Sequence, residues 1–242
     1  AGIVKLLVSP KLNTIYETIL KEAITVPILK NHSKCINDAN INAVKEEIEW
    51  ADDILFGPGL KIDQNSSEWM VETLKNINKP LVLDASGFQP LIENRISLND
   101  LPPETILTPH YSEFSHIFNI PLEDVINNTI DVVKNIISQL NKRVLVLKGP
   151  TNIIVTSTGK IVLMDHGNAN LATAGTGDVL SGIITGALAQ GLSMDDAVLF
   201  STFIHAECSH QYSRYTGNHY GFTAGDVVAM IPKAMDYVYD IS

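Results

Sequence analysis

The chain has 242 residues, of which 45% are apolar and 18% are charged, and this composition is typical of a globular protein that forms its own core. The formal net charge of −10 argues against a general nucleic-acid-binding protein, because a polyanion would be repelled. A nucleotide substrate is not excluded, since local N–H groups and one or two cations can hold its phosphates.

The sequence also predicts a cytoplasmic protein without a membrane partner. No apolar run reaches the ~20 residues that a membrane-spanning helix needs. The N-terminus lacks the basic segment of a signal peptide. Cys35 and Cys208 have neither metal-ligand spacing nor the pattern of a disulfide framework, so we expect two free thiols.

Short apolar runs alternate along the chain with segments of helical periodicity. In chain order we predict a buried strand at Lys5–Val8, helices at Asn13–Leu20 and Ala39–Trp50, a strand at Ile54–Phe56, a helix from Ser66 or Ser67, strands at Leu81–Leu83 and Ile106–Leu107, a long helix at Leu122–Leu140, a strand at Arg143–Leu147, a hairpin of Ile153–Thr156 and Ile161–Met164, and helices at about Gly177–Gln190, Asp195–Tyr215 and Ala224–Tyr239. This alternation predicts one three-layer α/β domain over residues 1–242, with a mainly parallel sheet.

Polar segments follow four of the predicted strands directly: Gly57-Pro58-Gly59, Asp84, Thr108-Pro109-His110 and Lys148-Gly149. In an open parallel sheet, ligands bind beyond the carboxyl ends of the strands, so these segments are predicted to converge on one edge. Each segment taken alone is also typical of an ordinary turn.

The segment Thr173-Ala174-Gly175-Thr176-Gly177-Asp178 precedes a long apolar helix. Glycines let backbone N–H groups approach an anion, and a helix start adds the positive end of its dipole. Such a site can stabilise a phosphoryl group in transfer, and Asp178 is placed to accept a proton from a hydroxyl nucleophile. Asp and Gly are also common at helix starts for structural reasons alone.

Two further segments carry candidate site residues. Lys148 follows an apolar strand and could neutralise a phosphate, although a surface lysine at a strand end is a common structural feature. His110 could bind an amide or a ribose, and Glu113 could hold Mg²⁺ through water. A helix start with Glu113 in its first turn is the alternative for the second segment.

Three polar residues of the predicted helix 195–215 are interpreted as structural. His205, Glu207 and His210 lack the i, i+4 spacing of a metal-binding histidine pair.

In their order along the chain, the motifs resemble those of the NAD(P)H-hydrate dehydratases, which are ADP- or ATP-dependent enzymes of the ribokinase-like superfamily. The matching segments are Gly57–Leu60, Leu81–Ala85, Ile106–Phe114, Val146–Gly149, Gly167–Gly182 and Thr223–Pro232. The Gly-Thr-Gly-Asp element is shared with sugar and vitamin kinases, whereas His110 in Thr-Pro-His-x-x-Glu is typical of the dehydratase branch. The resemblance implies an α/β/α ribokinase-like domain.

The resemblance also implies a repair reaction, in which a nucleotide phosphorylates the hydroxyl of a hydrated nicotinamide ring and phosphate is eliminated to restore NAD(P)H. By similarity, Gly59, His110 and Asp178 contact the hydrate, and Asp178 is the catalytic base. The residues implied to contact ADP or ATP are Lys148, Gly149, Pro150, Thr151, Asn152, Gly175, Thr176 and Gly177. Mg²⁺ is the implied cofactor, with Glu113 as a water-mediated ligand, and self-association into a homo-oligomer is implied as well.

Two features depart from the family pattern. Family members normally begin with another βα unit, and this chain starts after it, at a segment that resembles the next strand. In addition, Asp84-Ala85-Ser86-Gly87-Phe88 replaces the usual Asp-Ala-Asp-Ala-Leu. Two alternatives stay open: a ribokinase-like kinase acting on a thiazole or pyrimidine alcohol, and a catalytically silent scaffold or nucleotide sensor.

Overall fold

Six strands form the central sheet, and their order across the sheet is their order along the chain. A computed structural model describes residues 1–28, 38–60, 66–218 and 220–241. The strands are β3 (Ile54–Phe56), β4 (Leu81–Leu83), β5 (Thr105–Leu107), β6 (Val144–Leu147), β7 (Asn152–Val155) and β8 (Ile161–Met164). Strands β3 to β6 pair in parallel, whereas β7 and β8 are antiparallel, which confirms the predicted hairpin and the mainly parallel sheet.

Helices cover both faces of this sheet. Successive residues of a strand point to opposite faces, so each buried strand contributes side chains to both helical layers. In β4, Leu81 and Leu83 pack into one hydrophobic cluster and Val82 packs into the other. The first cluster includes residues of α2 (Asp38–Trp50), α3 (Ser66–Asn76), α4 (Gln89–Ile92), α5 (Tyr111–Phe118), α6 (Leu122–Asn127) and α7 (Thr129–Leu140). The second includes residues of α8 (Thr176–Leu188) and α9 (Met194–Thr216), and α10 (Ala224–Ile241) packs on α9. The predicted three-layer α/β/α architecture is confirmed.

A second, two-stranded sheet precedes the central one and differs from the prediction. Strand β1 (Val4–Val8) pairs in parallel with β2 (Ala23–Pro27), and α1 (Pro10–Ile19) connects them. The prediction of a buried first strand was wrong for most of its length, since only Val8 of β1 is buried. Strand β2 was missed, because Ala23–Pro27 mixes apolar residues with Thr25 and ends in a proline.

The predicted long helix at Leu122–Leu140 is divided into α6 and α7. Asn128 separates them with φ −130° and ψ 34°, which lies outside the helical region. The Thr129 hydroxyl donates to the Val125 carbonyl at 2.6 Å, so a side chain replaces part of the backbone ladder at the break. Within the described ranges, no helix has the length and hydropathy needed to cross a bilayer.

Candidate active site

The carboxyl ends of β3 to β6 meet at one edge of the sheet, as their parallel order requires. Backbone hydrogen bonds extend the pairing into the segments that follow, from Asp84 N–H to Phe56 O at 3.1 Å and from Thr108 N–H to Leu83 O at 3.1 Å. Lys148 N–H donates to Pro109 O at 2.8 Å. The predicted convergence of the four polar segments is therefore confirmed.

Gly57 brings the turn after β3 against the backbone that follows β4. Its φ is +127°, and a Cβ atom on Gly57 would lie 1.7 Å from the carbonyl oxygen of Asp84, so no other residue fits here. Gly59, at φ +72°, has no atom of the described residues within 4 Å of its Cβ position. Its contact with substrate stays a prediction.

An ion pair between Asp84 and Lys148 lies at the centre of this edge. Lys148 Nζ is 2.6 Å from Asp84 Oδ1, which also accepts the Ala85 N–H at 2.8 Å. Asp84 is fully buried, and among the described residues its Oδ2 atom has no hydrogen-bond partner. Asp84 was predicted to lie at this edge because it directly follows a buried strand, but its pairing with Lys148 was not predicted.

Lys148 also links this edge to the start of α8. A Cβ atom on Gly177 would lie 3.3 Å from Lys148 Nζ, so the ammonium group lies against the bare backbone of the first turn. Gly175 precedes the helix with φ +88°, and the Thr176 hydroxyl donates to the carbonyl of Thr173 at 2.8 Å. The first N–H groups of a helix have no partner within it and can bind an anion. The geometry thus combines such N–H groups with one lysine.

Asp178 lies in this same first turn, at the exposed side of the site. Partial burial of its carboxyl group raises the pKa of Asp178, and the negative charge of Asp84 raises it further, whereas Lys148 opposes the shift. A carboxylate with a raised pKa is a stronger base than an ordinary aspartate. Asp178 is therefore suited to accept a proton beside the anion-binding turn.

The turn between β6 and β7 contains the other predicted nucleotide-binding residues. Gly149 N–H donates to Asn152 Oδ1 at 3.2 Å, and Thr151 Oγ1 donates to Asp165 Oδ1 at 2.9 Å. A Cβ atom on Gly149 would lie 2.8 Å from the ring of Tyr111. Pro150, between them, is exposed. This turn follows Lys148 directly, so it borders the anion site.

His110 and Glu113 cap α5 reciprocally. His110 Nδ1 accepts the Glu113 N–H at 3.2 Å, and Glu113 Oε2 accepts the His110 N–H at 2.8 Å. A helix start, the alternative that the sequence left open, therefore accounts for both residues. The His110 side chain is still 55% exposed beside the site, so its contact with a ligand stays a prediction.

The proposed metal role of Glu113 gains no geometric support. Glu113 Oε2 is used in the cap, and Oε1 lies 3.4 Å from His110 Nε2. Within the described part of the chain, no group of three His, Cys, Asp or Glu residues is arranged to hold a metal ion. Mg²⁺ on a nucleotide keeps several waters and needs few protein carboxylates, so a water-mediated contact of Glu113 needs no such group and stays a prediction.

His205 closes the site from behind, on α9. It is buried, and its Nε2 atom lies 2.9 Å from the Thr176 carbonyl, which makes Nε2 the protonated nitrogen because a carbonyl oxygen can only accept. Burial lowers the pKa of His205 to about 4; the hydrogen bond to Thr176 opposes the shift, and the charge of Lys148 adds to it. A neutral His205 thus fixes the first turn of α8.

The sheet order and the helices on both faces define a three-layer α/β protein with a ribokinase-like fold. A solved ribokinase-like protein from Enterococcus faecalis has a TM-score of 0.79 at 22% identity, over 98% of this chain and 78% of that one. The family model of NAD(P)H-hydrate dehydratase matches residues 1–233, and the chain belongs to that family.

Two named relatives agree with this assignment. The chain is 31% identical to the bifunctional NAD(P)H-hydrate repair enzyme Nnr of Dictyoglomus turgidum, over 98% of this chain and 46% of the relative. It therefore spans less than half the length of that relative. The ADP/ATP-dependent NAD(P)H-hydrate dehydratase of Bacillus subtilis, co-crystallised with ATP/Mg²⁺ and soaked with CoA, has a TM-score of 0.75 at 23% identity, over 98% of this chain and 82% of that chain.

Proposed function

We propose that this chain converts hydrated NADH and NADPH back to NAD(P)H, using ADP or ATP to phosphorylate the hydroxyl of the hydrated ring. The observation that carries the proposal is the placement of Asp178 in the first turn of α8, beside Gly177 and the Lys148–Asp84 pair. The raised pKa of Asp178 and the adjacent lysine suit a base that works next to a phosphoryl group.

Two steps describe the chemistry. The ring hydroxyl oxygen attacks the terminal phosphorus of the nucleotide while its proton passes to Asp178, and the bond from that phosphorus to the bridging oxygen breaks. The carbon–oxygen bond of the new phosphate ester then breaks, and phosphate leaves with the bonding electrons. Loss of a proton from the neighbouring ring carbon restores the double bond of NAD(P)H.

The phosphates are proposed to bind at the start of α8, where Gly175, Thr176 and Gly177 offer N–H groups and Lys148 offers a positive charge. The turn from Gly149 to Asn152 would contact the rest of the nucleotide. Mg²⁺ bound with the phosphates would neutralise part of their charge. Asp84 and Asp178 are the carboxylates on this side of the site, and the hydrate is proposed to lie over Gly59 and His110.

The test is to incubate the protein with hydrated NADH, Mg²⁺ and either ADP or ATP, and to follow the absorbance of the reduced nicotinamide. We expect recovery of NADH with release of one phosphate per molecule restored, and no recovery without nucleotide. Stable phosphorylation of a thiazole or pyrimidine alcohol, without recovery of NADH, would instead identify a small-molecule kinase. Parallel assays with ADP and with ATP also show which nucleotide the protein uses.

A further inference from the structure

His166 begins the loop that leads from β8 to α8, which we call the 166–175 loop. Its ring stacks on Phe203 of α9, with centroids 4.5 Å apart and an interplanar angle of 5°. Its Nε2 atom lies 2.7 Å from Glu207 Oε2, and its carbonyl oxygen is bound by His210 Nε2. Residues 203, 207 and 210 follow the spacing of one helix face, so a single face of α9 holds His166.

Glu207 makes this attachment rigid. It is fully buried, and its Oε1 atom accepts from Gln211 Nε2 at 2.6 Å and from Arg214 Nη1 at 2.9 Å. A buried carboxylate is tolerated only when it is paired and hydrogen-bonded, and here both oxygens have partners. The carboxylate therefore has one favoured position, and it places the His166 ring.

The same helix holds the loop at two later points. Asn170 Nδ2 donates to Ser213 Oγ at 3.3 Å, and His205 Nε2 donates to the carbonyl of Thr176 at 2.9 Å. The loop is therefore attached to α9 at its start, in its middle and just beyond its end. Its own hydrogen bonds are local, such as that from Thr173 Oγ1 to Asn170 O at 3.1 Å.

We propose that His166 is a positioning residue for nucleotide binding: its attachment to α9 holds the 166–175 loop in the conformation that presents Gly175–Gly177 to a phosphate. The proposal rests on the proposed function for the identity of the nucleotide. His166 itself lies at the far end of the loop and acts through it. When the attachment is lost, only part of the population has the binding conformation, and the apparent Kd rises by the inverse of that fraction.

The experiment compares His166→Ala and Glu207→Gln with Arg214→Gln as the matched control. Arg214 contacts the same carboxylate, its own side chain is 55% exposed, and its contacts are with Glu207 and the ring of Tyr237 rather than with the loop. We expect the Kd for ADP, measured by calorimetry, to rise about tenfold in His166→Ala and several-fold in Glu207→Gln, and to stay within about twofold in Arg214→Gln. Amide hydrogen exchange at residues 168–175 is expected to accelerate in the first two variants only.

An unchanged ADP affinity in a folded His166→Ala variant would overturn the proposal. So would an equal loss of affinity in Arg214→Gln without faster exchange at residues 168–175, because affinity would then be lost while the loop keeps its conformation. If His166→Ala does not fold, His166→Gln serves in its place, with the same expectation of faster exchange in the loop. Wild-type protein that binds no ADP would count against the proposed function, whereas hydrogen exchange would still decide the role of His166.

Discussion

Asp178 has one negatively charged neighbour, Asp84, and one positively charged neighbour, Lys148. The catalytic role of Asp178 should be separable from its structural role. We expect Asp178→Asn to lower kcat by about 10²- to 10⁴-fold, the usual contribution of a general base, while the Kd for nucleotide changes little. Asp196→Asn, at the first turn of α9, removes the same charge from a surface site and should leave turnover unchanged. A large loss of nucleotide affinity in Asp178→Asn would contradict the assigned role.

The pKa of Asp178 also predicts the pH dependence of the reaction. Because burial and the charge of Asp84 raise this pKa, the acid limb of the kcat/KM profile should lie above the ordinary pKa of an aspartate. Asp84→Asn removes the repulsion and frees Lys148 to pair with Asp178, and both changes favour the ionised base. The acid limb should therefore move to lower pH in this variant, and a shift to higher pH would show that another group limits the rate.

Residue-level contacts between distant segments were the part of the site that the sequence did not reveal. Lys148 and Asp178 were selected because each directly follows a recognisable pattern, a buried strand or a glycine-rich turn. The partner of Lys148 is Asp84, 64 positions away, and no local spacing encodes that pair. His205 was likewise identified as structural, but its contact with the Thr176 carbonyl depends on how α9 packs on α8.

At the scale of elements, the turn after β3 depends on a close approach between two backbones. Gly57→Ala would place Cβ 1.7 Å from the Asp84 carbonyl oxygen, at a φ of +127°, so we expect a loss of about 3 kcal/mol or more in unfolding free energy. Gly182→Ala is the matched control within α8, where nothing lies within 4 Å of the Cβ position. It should gain about 0.5–1 kcal/mol, as measured by urea unfolding.

Equal stability of the wild type and Gly57→Ala would show that the turn rearranges at little cost.

Elements were predictable from the sequence where apolar runs have clear ends. The bounds of β3 and β4 agree with the prediction, since glycine, proline or aspartate ends each run. Strand β2 has no such run, and the break at Asn128 depends on one residue leaving the helical region inside a helical pattern.

At the scale of the whole molecule, His205 links folding to pH. The unfolded chain binds a proton to this ring below about pH 6.5, whereas in the folded protein the pKa is about 4. The contribution of the neutral His205 ring to the free energy of unfolding is complete above the unfolded pKa of about 6.5. It is lost as the pH falls from this value to about 4, by about 3 kcal/mol at most. Urea unfolding of the wild type and His205→Gln at pH 7.5 and pH 4.5 should show a smaller acid loss in the variant.

The exposed His116 provides the control for that measurement, since His116→Gln removes a histidine without removing a buried one. We expect its stability to fall with acid as steeply as that of the wild type. An acid loss in His205→Gln that equals the wild-type loss would show that other groups dominate the acid sensitivity of the fold.

The ion pair of Asp84 and Lys148 leads us to expect that the site distinguishes a bare polyphosphate from one that carries a cation. Asp84 neutralises the lysine before any ligand binds, and Asp178 adds a second negative charge, so the site has no surplus of positive charge. The net charge of −10 on the whole chain adds to the repulsion between this site and a polyphosphate. We therefore expect a bare nucleotide to be repelled at this edge and a nucleotide that carries a divalent cation to bind in preference, because the cation neutralises part of the phosphate charge.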